Sequence, residues 1–310
     1  MLALVTGCRG FIGRHLARQL AAAGHKVVGI GHGAWPQHEH AAWGVAEWSN
    51  ADITRTNLDT VASALGRVDV VFHLAGGSSV APSIAMPAED FRRSVGSTLE
   101  VLEWVRTQQA RAPVVLASSA AVYGDAYVDP VRTREIPQPK SPYGHHKWMS
   151  EQLVRSYSGT FGVAASVVRL FSVYGPELRK QLLWDACQRL EASTSPLALA
   201  GTGDELRDWL HVSDAARVLH HAASLASSEC PTIHGATGVP VSVRDIGDAL
   251  CAAFGRRDRA VFSGKVRAGD PLRLVSHPAD VPDVGPLMPW TQGVADYVGW
   301  FRRDRGRDAR

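Results

Sequence analysis

The opening of the chain constrains the fold more than any other stretch. Leu2-Ala-Leu-Val5 is an apolar run too short for a helix. Thr6-Gly-Cys-Arg-Gly-Phe-Ile-Gly13 follows, then Arg14–Ala23 with helix-forming composition closed by Gly24, then a strand-like Lys26-Val-Val-Gly-Ile30. Strand, glycine loop, helix and strand within about thirty residues make one βαβ unit. Gly7, Gly10 and Gly13 sit at a G-x-x-G-x-x-G spacing. Such glycines let the backbone turn tightly, approach a pyrophosphate and pack helix on strand, while the helix N-terminus offers free N–H groups to an anion. An ordinary glycine turn is the competing reading, and the position between strand and helix favours binding.

The rhythm then repeats. Val68–His73 reads as a strand with a Leu74–Gly77 turn, Phe91–Gln108 as a helix, and Pro113–Ala117 as a strand running into Ser118–Gly124. Tyr143–Phe161 reads as a helix and Val163–Leu170 as a strand. Short apolar strands alternating with helices predict an α/β fold, a Rossmann-type doubly wound parallel sheet covered on both faces, with ligands bound beyond the carboxyl ends of its strands. After Pro176 the alternation breaks into helices at Lys180–Ala192, Val212–Ser224 and Val243–Phe254 among short strands and Gly/Pro-rich loops. The expected division is a dinucleotide-binding domain over 1–174 and a smaller C-terminal lobe over 175–310 for substrate. Part of 212–236, including a strand near Thr232–His234, is expected to return to the main sheet.

Composition excludes several classes. A net charge of +3 is too small to argue for nucleic acid or an anionic membrane, and no run reaches the ~18 uncharged apolar residues of a membrane span. The basic end Arg302–Arg310 reads as a frayed terminus. Four scattered cysteines without C-x-x-C spacing argue against a metal centre or a disulfide framework and fit a reducing cytoplasm. The pairs His145-His146 and His220-His221 read as surface or packing residues, because adjacent helical side chains diverge.

Chemistry is concentrated in Ser141-Pro-Tyr-Gly-His-His-Lys147. Ser141 can cap a helix and Pro142 suits its first position. Tyr143 and Lys147 then share a face one turn apart, and a neighbouring ammonium is expected to pull the phenol below its free value of ~10. Alone, a Tyr-x-x-x-Lys spacing is a weak signal. Its company is Thr6–Gly13, Asp52-Ile53, His73-Leu-Ala75, Ser119-Ala-Ala-Val-Tyr123, Arg169-Leu-Phe-Ser-Val-Tyr-Gly-Pro176 and Arg207-Asp-Trp-Leu-His-Val-Ser-Asp214.

In this order and spacing, over nearly the whole chain, these pieces resemble the extended short-chain dehydrogenase/reductase family of nucleotide-sugar epimerases, dehydratases and ketoreductases. The resemblance implies a general acid/base at Tyr143. Lys147 would hold the nicotinamide ribose and tune Tyr143, and Ser119 would hydrogen-bond the reacting oxygen. It implies a cofactor site from Gly7, Arg9, Gly10, Phe11, Ile12, Gly13, His32, Asp52, Ile53, Leu74, Ala75 and Gly76, with Asp52 against adenine. Ser118, Ser172, Arg207 and Arg273 are the implied substrate contacts. The two arginines would clamp phosphates, with a surface salt bridge the alternative for Arg273.

Departures from the family pattern narrow the expectation. Ala120 and Ala121 stand where dehydratases keep Asp-Glu, and neither can move a proton. Gly31-His-Gly33 lacks the acid that NAD-preferring members place after the second strand, and Arg9 could meet a 2′-phosphate, so NADP(H) is favoured over NAD(H). Ser94 and Ser172 replace usual asparagines. The expected activity is NADPH-dependent reduction of a nucleotide-linked 4-keto-6-deoxy sugar. An NAD-dependent nucleotide-sugar 4-epimerase is the runner-up, and retention of Ser119, Tyr143 and Lys147 argues against a non-catalytic dinucleotide sensor. By the same resemblance a homodimer is expected, with Trp104 and Trp148 either contacts in it or intramolecular core.

Overall fold

The computed structural model describes residues 1–107, 112–266 and 271–308. The chain begins with β1 (Leu2–Thr6), α1 (Phe11–Ala22), β2 (Lys26–Gly31), α2 (Gln37–Ala42), β3 (Val45–Asn50), α3 (Arg55–Leu65) and β4 (Val70–His73). Next come α4 (Val80–Ala85), α5 (Pro87–Phe91), a π-helical turn (Arg92–Gly96), α6 (Ser97–Thr107), β5 (Val114–Ser119), a 3₁₀ turn (Ala120–Tyr123), α7 (Pro142–Phe161) and β6 (Ala165–Leu170). The remainder is β7 (Ser172–Tyr174), α8 (Gln181–Ala192), β8 (Ala198–Leu199), β9 (Leu206–His211), α9 (Val212–Leu225), β10 (Thr232–Gly235), β11 (Pro240–Ser242), α10 (Val243–Ala253), β12 (Val261–Phe262), β13 (Arg273–Leu274) and α11 (Trp290–Asp308).

Two compact units result. The first holds Met1–Gly124, Thr133–Leu170 and Ala215–Gly235, the second Asp125–Arg132, Phe171–Asp214 and Ala236–Arg310. The first is a seven-stranded sheet in the order β10-β6-β5-β4-β1-β2-β3, every neighbouring pair parallel. This is the doubly wound architecture that the alternating pattern predicts, and the strand near Thr232 pairs with β6 in that sheet. The chain order reverses between β1 and β4, so the glycine loop and the Leu74–Gly77 turn leave the sheet side by side. Its core includes Leu4, Ile30, Val71, Trp104, Leu116, Val154 and Val167.

Trp104 is fully buried and donates Nε1–H to Asp59 Oδ1 at 2.9 Å, so it is an internal core residue rather than a dimer contact. β3 escapes sequence reading because it is an edge strand with only Val45 buried. The helix expected over Phe91–Gln108 is broken by the π-helical turn at Arg92–Gly96, and Gln108 lies outside the described residues. In the second unit β9 pairs with β11 antiparallel and with β7 and β13 parallel. The basic end is not frayed through Asp308: α11 carries it, with Phe301 packed on Trp184 and Arg305 paired with Glu191 at 3.1 Å. No helix of the described residues is long and apolar enough to cross a membrane.

A buried relay sets the loops that frame the switch point. Thr6 Oγ1 accepts from the amides of Leu74 (3.2 Å) and Ala75 (3.1 Å), which leaves its own proton for His73 Nδ1 at 2.8 Å. His73 therefore carries its hydrogen on Nε2, donated to Thr98 Oγ1 at 3.1 Å, and Thr98 donates on to Ser94 O at 2.6 Å. Burial and the nearby Lys147 ammonium push His73 down to about 3, so the imidazole stays neutral. Thr6→Val keeps the shape and strands several of these groups. It is expected to cost about 2 kcal/mol in chemical denaturation, since each unsatisfied buried group costs about 1–3 kcal/mol.

Candidate functional site

The cradle formed by the glycine loop is built by exclusion of side chains. Gly7 has φ +68°, and a Cβ there would fall 2.9 Å from Ala75 N. A Cβ on Gly13 would fall 2.4 Å from Gly7 O and 2.8 Å from Cys8 Cα. Gly10 occupies the N-cap of α1 without a side-chain cap, so the first amides of that helix are left to an outside acceptor. Phe11 and Ile12 open the helix, half-buried.

The expected adenosine side gathers around the end of β2. The Arg9 guanidinium lies over the Gly31–Gly33 turn, where a Cβ on Gly33 would meet it at 2.3 Å. Trp48 Nε1–H donates to Gly33 O at 3.1 Å, and Gly33 N donates to Asn50 Oδ1 at 2.8 Å, which fixes that turn. His32 Nε2 sits 3.2 Å from Asp52 Oδ1, both side chains exposed, and Ile53 packs on the sheet core.

Ser141 caps α7, accepting from Gly144 N at 3.2 Å, and Pro142 opens the helix. Gly162 ends it in a left-handed conformation at φ +70°. The Tyr143 amide is held by Ser83 Oγ at 3.0 Å. The Tyr143 phenol is hydrogen-bonded to Ser119, which also accepts from Ala121 N at 3.2 Å. Lys147 is buried and donates to Ala117 O at 3.0 Å. Ser119, Tyr143 and Lys147 thus meet at the carboxyl end of β5.

The expected lowering of the phenol is reversed. Burial raises Tyr143, with the Asp90 carboxylate adding to the rise and only the Ser119 hydrogen bond opposing it. Lys147 gives one of its three N–H groups to a backbone carbonyl, and burial brings the ammonium itself down to about 8 against the pull of Asp90 and Glu151. At neutral pH the site therefore holds a neutral phenol beside a charged lysine.

Behind this lies a buried polar network that spacing alone did not announce. Arg169 forks onto Glu151, with Nη2 to Oε2 at 2.7 Å and Nε to Oε1 at 3.0 Å. Arg169 Nη1 also donates to Tyr123 Oη (2.7 Å), which lies 2.6 Å from His234 Nε2. Ser118 is buried and its hydroxyl is committed to Glu151 Oε1 at 2.5 Å. The available signal was Glu151 at four residues past Lys147 on one helix face.

In the second unit, Ser172, Arg207 and Arg273 come to one small sheet. Ser172 lies opposite Trp209, while Arg207 and Arg273 lie on the paired strands β9 and β13. Arg273 Nε is buried without a hydrogen-bond partner among the described residues.

Comparison with known proteins agrees with this geometry. The family model described as NAD dependent epimerase/dehydratase family matches residues 3–233. The chain belongs to that family. A UDP-glucose 4-epimerase of Azospirillum brasilense is 30% identical over 296 residues, covering 88% of this chain and 83% of that one. A UDP-glucose 4-epimerase of Thermotoga maritima, solved with UDP-glucose, superposes with a TM-score of 0.85 at 25% identity, covering 98% of this chain and 100% of that one. A Thermus thermophilus UDP-glucose 4-epimerase solved with NAD gives 0.82 at 27% identity, covering 97% and 99%. The chain is thus an NAD(P)-dependent enzyme of the extended short-chain dehydrogenase/reductase type.

The residues present fit the family's dinucleotide, since the cradle is shaped by positions where any Cβ would intrude and the helix end above it is uncapped. Gly13→Ala is expected to abolish NADH binding in a fluorescence titration. The crowded loop should also lose about 1–3 kcal/mol of stability in chemical denaturation.

Proposed function

We propose that this chain is an NAD-dependent nucleotide-sugar 4-epimerase. The observation that carries the reading is the convergence of Ser119, Tyr143 and Lys147 in the same unit as the glycine cradle. The relatives move the preference from the reductase to the epimerase, and the NAD bound in the Thermus thermophilus enzyme supports NAD over NADP.

In this reading Ser119 holds the oxygen on the reacting sugar carbon, and Tyr143, having first released its own proton to solvent, takes the sugar proton as the phenolate and later returns it. Lys147 grips the cofactor ribose and stabilises the phenolate that takes the proton and is restored when the proton is returned, the neutral phenol existing between the two transfers. The bound nicotinamide supplies hydride acceptance and return. Ala120 and Ala121 leave no carboxyl beside Ser119 for elimination of water. Arg207 and Arg273 suit the diphosphate of the substrate, the buried Nε of Arg273 having no acceptor among the described residues. A homodimer through α6 and α7 belongs to the same reading, with exposed Leu99 and Met149 as contacts in place of Trp104.

A second reading, NADPH-dependent reduction of a nucleotide-linked 4-keto-6-deoxy sugar, has one observation in its favour. Arg9 overlies Gly33, and the turn after β2 carries no carboxylate, which suits a 2′-phosphate. Turnover of UDP-sugars separates the two. The epimerase interconverts the 4-epimers with no net change in reduced-nicotinamide absorbance, whereas stoichiometric NADPH consumption with a keto sugar would move the assignment to the reductase. Tyr143→Phe is expected to lower kcat roughly a thousandfold, within the range for loss of a general acid/base. NADH affinity should stay within about threefold, because the phenol hydroxyl is one contact of many.

A further inference from the structure

One buried ionisable pair is not used by the chemistry above. His146, between Tyr143 and Lys147 on α7, places Nδ1 2.6 Å from Asp90 Oδ2, and both residues are buried. Asp90 sits in α5, directly ahead of the π-helical turn. Its other oxygen occupies the side-chain space of Gly77, where a Cβ would fall 1.9 Å from Oδ1. On the neighbouring Gly76 a Cβ would come 3.4 Å from Lys147 Nζ and 3.2 Å from Ser94 Oγ. Gly77 N donates to that same Ser94 hydroxyl at 2.9 Å. The carboxylate, the serine and the ammonium therefore border one two-glycine turn at the end of β4, and at Gly77 the carboxylate leaves room for no side chain.

Among the described residues, the titratable groups around Lys147 are few. On its own helix they are His146 and Glu151, and Glu151 is already forked by Arg169 from β6. On β4 there is His73, which is neutral. Arg92 and Arg93 of the π-helical turn are taken up by Glu89 at 2.7 and 2.5 Å. Asp90 is thus the nearby carboxylate not engaged by an arginine, and it leads Glu151 in opposing the loss of the lysine proton. A buried carboxylate oxygen needs a hydrogen-bond donor, and His146 Nδ1 at 2.6 Å supplies one to Asp90.

We propose that Asp90, held by His146, is a positioning residue whose carboxylate keeps the Lys147 ammonium charged in the dry pocket beside Tyr143. The pair acts through Lys147 and touches neither sugar nor hydride. The proposal rests on the reading above that Lys147 grips the cofactor ribose.

The test is NADH affinity as a function of pH, followed by fluorescence, which needs no sugar substrate. In the unmodified protein affinity is level below about pH 8 and falls above it, as the ammonium titrates. Asp90→Asn is expected to move that fall to lower pH by about one unit, with affinity at pH 6 within about twofold of normal. His146→Asn, which keeps an N–H near the position of Nδ1, leaves the fall in place, whereas His146→Leu moves it to lower pH as Asp90→Asn does. A fall at the unmodified pH in Asp90→Asn, even with weaker binding at every pH, overturns the proposal, and so does an unmodified protein without a fall. Should Asp90→Asn not fold, His146→Leu decides by the same criterion. Failure of the epimerase reading shows separately, as absent turnover of UDP-sugars with the NADH titration intact.

Discussion

The fork between Arg169 and Glu151 is the interaction on which the site depends. Both charges are buried, and removing them from water costs several kcal/mol per ion unless every lone pair is met. Here the carboxylate takes Ser118 and two nitrogens of one guanidinium, and the guanidinium also reaches Tyr123 Oη and Thr133 O. The pair ties α7 to β5, β6 and the 3₁₀ turn at one point. A helix held at Glu151 has little freedom to roll, so the directions of Lys147 and Tyr143, one and two turns earlier, follow from it. The arrangement exchanges stability for rotational definition of a single helix.

This explains why α7 is hard to orient from sequence. A helix in a globular protein normally shows its inner face as an apolar stripe. The inner face of α7 is Gly144, His146, Lys147, Ser150, Glu151, Val154 and Ser158. Read by hydropathy, that face belongs in solvent. The cap at Ser141, the proline after it and the terminal Gly162 mark the helix plainly, because they are local backbone chemistry. What the inner face touches is long-range, and the sequence carries no sign of it beyond the types of residue.

The same division runs through the chain. Buried parallel strands such as β1, β5 and β6 announce themselves as apolar runs, and the cradle announces itself through Gly7, Gly10 and Gly13. The edge strand β3 and the short pairings of β7, β9 and β13 do not, since their burial depends on neighbours far away in sequence. The expected depression of Tyr143 fails for a related reason. Helical spacing fixes the distance between two side chains along an axis, but the dryness of the pocket and the carbonyl that captures Lys147 come from β5. His146 shows the opposite error: residue type and adjacency assigned it to surface or packing, yet a partner from α5 gives it a buried hydrogen bond to a carboxylate.

The π-helical turn at Arg92–Gly96 holds one more residue than an α-helical turn would. Every residue of α6 is consequently rotated by about 100° from the heading that α5 would have given it. Trp104, Leu102 and Val101 face the core only because of that offset. A chain shortened by one residue here would gain a more regular helix and turn its indole away from Asp59. In lineages that diverge from this one, the length of the segment should therefore drift far more slowly than the identity of its surface residues.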